Sequence, residues 1–217
     1  MPLRTLGPPR PAAPSVLCAD LHLRFGEARL GGRVHWPVRP NGDGALRVVL
    51  LLDDVRGSSL GADICRTAPA VVVRLSPAAG RGRASVLGAE MAALGWAADH
   101  AEELGGQAHN LVVAGLECGC AHTAWLAIAA RAEGWPSLRR QLLVHPRFDA
   151  VLPLPPHPAG VAPASIVTAP ESQAAGRAYA ALLRRHGVEV REFHGIGERL
   201  DGAQLLDPSP HHQTGAS

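Results

Sequence analysis

The chain has 217 residues, 47% of them apolar, enough to bury one substantial core and to make a single domain the default. Its formal net charge is +2, and no basic run carries interleaved aromatics, so neither nucleic acid nor an anionic membrane surface is an expected partner. No early stretch combines a charged start with a long apolar run, and the four cysteines, two of them in "CGC", do not form a secreted disulfide framework; the expectation is a soluble cytoplasmic protein.

Residues 1–14, "MPLRTLGPPRPAAP", are proline-rich without periodicity and read as a flexible arm; residues 208–217 read as a flexible tail, leaving 15–207 as the domain. "SVLCADLHLRF" and "GGRVHWPVR" alternate like the two strands of a hairpin. "ALRVVLLLDD" is a continuous apolar run ending in carboxylates, the mark of a strand buried on both faces, and "AVVVRL" is another. Ser85 then caps a helix carrying Leu87, Met91, Leu94, Ala98 and Ala101, stopped by Gly105-Gly106. "LVVAGL" follows as a strand, then a tight turn and an alanine-rich helix. "RQLLVHP" and "ASIVTAP" are further strands. Ser172 caps a helix with Ala175, Tyr179 and Leu182, closed by Gly187, and "VEVREFHG" is the last strand. This alternation predicts an α/β fold: a mostly parallel, twisted sheet of about eight strands with helices on both faces. Functional positions in such a sheet lie at the carboxyl ends of the strands, here Asp53 and Asp54, Leu75, Glu117, His145, Ala169 to Glu171, and His194.

The turn after "LVVAGL" has the spacing G-x-S-x-G, as Gly115-Leu116-Glu117-Cys118-Gly119, with glutamate in place of serine. Around it the order of segments carries a resemblance. "VVVRLSP", "LGWAADHAEELGGQAHNLVVAG", "QLLVHPRFD" and "GRAYAALLRRHGVEVREFHGIGERLDG" are similar, in this order, to segments of the α/β-hydrolase fold, most of all its hormone-sensitive-lipase branch of small esterases. The resemblance runs from Ala45 to Asp201. It implies a serine nucleophile, a histidine base, an acid and a glycine-rich oxyanion loop. Glu117 stands at the nucleophile position, Asp53, Asp54, Val55 and Arg56 at the oxyanion-loop position, Glu198 at the base position and Glu171 at the acid position. Only "AVLPLPPHPAGVAP" stands where the branch carries its lid insertion, so the cap region is expected to be largely missing and the site open.

Three functions follow. The first is a catalytically degenerate homologue, a pseudo-esterase that binds another protein, a peptide or a biosynthetic intermediate. In that reading Glu117 is a solvated or ion-paired elbow residue, with Arg56 as the expected partner. The second is an unconventional enzyme using Glu117 as nucleophile or general base, its chemistry completed by Glu198 or His194. A carboxylate between a helix N-terminus and the nearby Asp53, Asp54 and Glu198 suits that role. The third is a thioesterase or acyltransferase through Cys118, although the residue after the elbow position is expected to point away from the pocket and pack. Cys118-x-Cys120-x-His122 diverges on a helix and predicts no metal site, and no pattern predicts a cofactor. His145 and Trp96 are expected to pack, and Trp125 and Trp135 to pack or to meet a partner.

Overall fold

Eight strands form one sheet in the order β1-β2-β4-β3-β5-β6-β7-β8. The computed structural model describes residues 16–38, 46–76, 83–149, 152–194 and 201–206. The sequence-predicted arm, the tail and Glu198 lie outside the described residues. The strands are β1 (Val16–Phe25), β2 (Ala28–Pro37), β3 (Leu46–Leu52), β4 (Ala70–Leu75), β5 (Gly106–Leu116), β6 (Arg140–Val144), β7 (Ala164–Thr168) and β8 (Val190–His194). The β1–β2 hairpin is antiparallel and joins β4 antiparallel. Every pairing from β4 to β8 is parallel. This is the predicted α/β class.

Burial follows the apolar runs. Val48 to Leu52, Val71 to Val73 and Leu111 to Ala114 are wholly buried, because central parallel strands are covered on both faces. Each such leucine contributes about 2 kcal/mol by leaving water. One face is covered by α2 (Arg83–Asp99), α3 (Gly119–Glu133) and α4 (Gln173–Arg185), with Leu94, Ala97, Leu126 and Tyr179 in its core. The other is covered by α1 (Leu60–Thr67) and α5 (Gly202–Leu206), with Ile64, Cys65 and Leu206. The hairpin alternates as predicted. Leu23, Leu30 and Val34 face the core, and the Trp36 indole N–H donates to the Leu104 carbonyl at 3.0 Å.

The details of the helices depart from expectation. The short α1 and α5 are not anticipated from periodicity, since eight and five residues give too little of it. Helix α2 starts at Arg83, two residues before the predicted Ser85 cap. Its buried line runs through Glu90, Ala93, Leu94, Ala97 and Ala98, while Leu87 and Met91 are half-buried at its edge. Ser172 does sit at the N-cap of α4, but its hydroxyl bonds back to the Ala169 N–H and C=O instead of to the helix. A single 3-10 turn, Pro170–Ser172, takes up that space. The buried face of α4 is Gly176, Tyr179, Ala180 and Leu183; Ala175 and Leu182 flank it. Trp96 packs as expected, half-buried and stacked on His100 with ring centroids 4.9 Å apart. Among the described residues no helix is long and apolar enough to cross a membrane.

Candidate functional site

The turn between β5 and α3 is built by two glycines and one strained residue. A Cβ on Gly115 would lie 2.4 Å from the Gly119 backbone, and one on Gly119 would lie 2.1 Å from the Leu52 carbonyl oxygen. Both approaches are open only to glycine, and together they let α3 start directly against the ends of β3 and β5. Glu117 turns the chain with φ +50°, a conformation that costs a non-glycine residue about 1 kcal/mol. Backbone bonds hold it there. Its N–H donates to the Val144 carbonyl at 2.9 Å, and its carbonyl accepts from the N–H groups of Cys120 and Arg147, each at 3.1 Å.

The Glu117 side chain is partly exposed, and its carboxylate lies 3.6 Å from the Arg147 guanidinium. The predicted partner, Arg56, is exposed and does not make this contact. The correction follows from topology: β6 lies beside β5, so the segment leaving β6 wraps the elbow and brings Arg147 across it. Arg147 therefore binds Glu117 twice, by its N–H and by its guanidinium. Sequence reading could have found it by asking which strand neighbours β5. His145, next along the same segment, also has a left-handed backbone, φ +53°. It is partly buried, as expected, and its Nδ1 has no hydrogen-bond partner.

The four residues at the oxyanion-loop position divide. Asp53, expected on the rim, is wholly buried. Its carboxylate lies 3.0 Å from Arg74 Nε and accepts the Val55 N–H at 2.9 Å, while the Arg74 guanidinium also donates to the Val55 carbonyl. Asp53 is thus a structural anchor of the turn, not a group facing a ligand. Asp54 is exposed, Val55 half-buried and Arg56 exposed. Asp54 accepts from the Cys118 thiol at 3.2 Å. Cys118 therefore lies against the loop at the rim instead of packing away from it. Burial, with Asp54 beside it, pushes this thiol up to about 11, which opposes its use as a nucleophile near neutral pH.

The remaining candidates are not gathered around Glu117. His194, at the end of β8, has its Nδ1 2.8 Å from the Thr168 hydroxyl, in register on β7. Three strand spacings, about 14 Å of sheet, separate β8 from β5. A ring held to Thr168 at that distance is not a base for Glu117. Glu171 is exposed on the 3-10 turn after β7. Cys120 is buried, with its thiol donating toward the Gly115 and Val144 carbonyls, and His122 pairs with the buried Glu90 at 2.9 Å, so the Cys118-x-Cys120-x-His122 side chains point three ways. Between the end of β6 and β7 the described residues 152–163 carry no helix or strand. The Trp125 indole N–H bonds the Pro153 carbonyl within this stretch, and Trp135 is largely exposed at the far end of α3.

The strand order, the single antiparallel hairpin at one edge and the glycine-flanked left-handed turn ahead of α3 define an α/β-hydrolase architecture. Comparison agrees. The family model described as alpha/beta hydrolase fold matches residues 59–186, and the chain belongs to that family. An arylesterase structure matches with TM-score 0.73 and 16% identity, over 88% of this chain and 82% of that one. A bacterial heroin esterase matches at 0.69 and 19%, over 88% and 78%. A thermostable esterase from Pseudomonas putida ECU1011 matches at 0.68 and 22%, over 90% and 77%. Identities this low speak for the fold. No curated protein matches the sequence.

Proposed function

We propose that this chain is a catalytically degenerate member of the α/β-hydrolase family, which acts by binding a protein, a peptide or a biosynthetic intermediate at the open carboxyl end of its sheet. One observation carries the reading. The elbow keeps its backbone form, yet the side chain it offers is Glu117, ion-paired to Arg147. A carboxylate so held is a poor nucleophile, and acyl transfer by the serine route has no hydroxyl to start from. Two further features support it. Asp53 and Arg74 fix the loop opposite the elbow around side chains, without a run of glycines that would turn its N–H groups to an oxyanion. Cys118, the other reactive group at hand, is held protonated.

The test combines three measurements on the purified chain. Hydrolysis of p-nitrophenyl esters is expected to be absent, a fluorophosphonate is expected to label nothing, and a stable complex is expected in a pull-down from native cells that Glu117→Ala weakens. Ester turnover that persists with Glu117 replaced would overturn the proposal. If instead Glu117→Gln abolishes a reaction while the protein melts normally, a carboxylate-dependent enzyme replaces the binding reading.

A further inference from the structure

We propose that the outer edge of β1 is an interaction surface for a second copy of this chain, whose own β1 pairs with it antiparallel about a two-fold axis at Leu21. β1 is the outermost strand, and among the described residues nothing pairs with its outer side. The hairpin turn decides which main-chain groups point outward. Phe25 and Ala28 flank the two-residue turn Gly26-Glu27 and therefore exchange both hydrogen bonds. By alternation the odd residues of β1 bond β2, and Val16, Cys18, Asp20, His22 and Arg24 direct N–H and C=O away from it. The next ladder agrees: Gly31, which stands opposite His22, gives its carbonyl to the Ser76 N–H on the far side of β2.

An open row of this kind is commonly blunted by a proline, a bulge or a short strand. β1 has none of these devices, with ten residues, no proline and one-to-one register with β2 throughout. At the other edge of the sheet β8 has five residues. The chain's own residues 1–14 suit the edge poorly, because five of them are proline and lack the N–H that a ladder requires.

The side chains select the occupant and the register. With Leu21 on the axis, residues 17–25 of one protomer meet 25–17 of its partner, and the outward groups form about eight main-chain hydrogen bonds. On the face toward α1, Asp20 stands opposite His22 of the partner subunit, with Arg24 of the partner subunit on the diagonal. Both Arg33 bonds end on Asp20 Oδ1, which leaves Oδ2 for these groups. On the face toward α2, Leu17 lies beside Phe25 of the partner subunit. Leu17 is 62% exposed, the most exposed large apolar side chain among the described residues, and this register covers it. Moving the axis to Asp20 would set that carboxylate against its own copy. Moving it to His22 would put Leu17 opposite Glu27 and His22 opposite itself. A two-fold axis repeats every favourable contact, so a strand carrying acid, imidazole and guanidinium in alternation complements itself. The elbow stays open in both copies, since four strand spacings, about 19 Å of sheet, separate β1 from β5.

The experiment follows the intact, reduced chain by sedimentation velocity from about 1 to 100 μM, where a monomer–dimer equilibrium is expected. His22→Pro removes an outward N–H and leaves the β2 ladder whole. It is expected to weaken the dimer about tenfold or more, because the two-fold contact loses that bond twice. Asp20→His is expected to weaken it about threefold, and adding His22→Asp to restore it by rebuilding the pair in reverse. In a Cys18→Ser background, Leu21→Cys is expected to cross-link to its own copy under mild oxidation. Leu17→Cys is expected not to, since the two positions lie about 27 Å apart in this register. A monomer at every concentration would overturn the proposal, and protection of the outward β1 amides from hydrogen exchange would then seat another part of the chain on this edge. A dimer indifferent to His22→Pro, or one cross-linked through Leu17→Cys alone, would equally overturn it. Should His22→Pro not fold, the two cysteine variants decide alone.

Discussion

Cys118 and Cys18 are both reachable thiols on one sheet, and they meet different neighbours. Cys118 follows the elbow and points at the Asp54 carboxylate, so its proton is held. Cys18 lies on the edge hairpin, its sulfur 3.2 Å from the Nδ1 of the buried His35. The comparison teaches that burial and the carboxylate met by a thiol at the elbow outweigh the helix N-terminus behind it. The elbow, which the architecture builds at the cost of a strained backbone, offers an ion-paired carboxylate and a suppressed thiol. The hairpin, a plain edge of the sheet, carries an exposed thiol beside the His35 imidazole.

Several substitutions break or sharpen this contrast. The largest effect is expected at the elbow itself: Gly119→Ala puts a methyl into the Leu52 carbonyl and should cost about 3 kcal/mol or more in denaturant unfolding, with no comparable loss for Gly95→Ala in α2, where no atom lies within 4 Å of a Cβ. Next comes Arg74→Met, which strands the buried Asp53 carboxylate and lies between the two thiol sites. A loss of about 3 kcal/mol is expected in the same assay, at the low end for a broken buried pair because Arg74 is itself a quarter exposed. Smaller is the effect of Asp54→Asn, which should raise iodoacetamide labelling of Cys118 about threefold at pH 8 by removing one of the groups that holds its proton. An unchanged rate would assign the suppression to burial alone.

The smallest effect concerns pH. An unfolded His35 takes up a proton near the ordinary histidine value of 6.5, whereas the folded one does so only at lower pH. Between those two points the unfolded state binds the extra proton, so stability falls as pH falls through the window below about 6.5. Wild-type protein should therefore lose denaturant resistance on acidification from pH 7 more steeply than His35→Leu, and equal slopes would remove His35 as a contributor.

The sheet was legible because its signal is dense. "LRVVLLL", "AVVVRL" and "LVVAGL" leave no choice but strands covered on both faces, and their order with the helices between them leads to one topology. The elbow was legible from Gly115 and Gly119, whose spacing has a steric meaning. What surrounds the elbow was not. Asp53 and Asp54 are adjacent and chemically alike, yet one is buried on Arg74 and the other faces Cys118, because alternation along an extended chain sends neighbours to opposite sides. Arg147 was missed for Arg56 because the choice depends on which strand lies beside β5, a fact of three dimensions. His35 and Cys18 lie 17 residues apart and become partners only through hairpin register.

The way Glu117 is tied down separates frame from chemistry. Its N–H is taken by Val144 and its carbonyl by Cys120 and Arg147, so main-chain atoms secure the turn and the Arg147 ion pair is added only at the side chain's tip. Whatever group is attached to that α-carbon is presented to solvent at the same spot and angle. The position works as a fixed socket: exchanging its occupant alters what the molecule meets, while the scaffold beneath registers almost nothing.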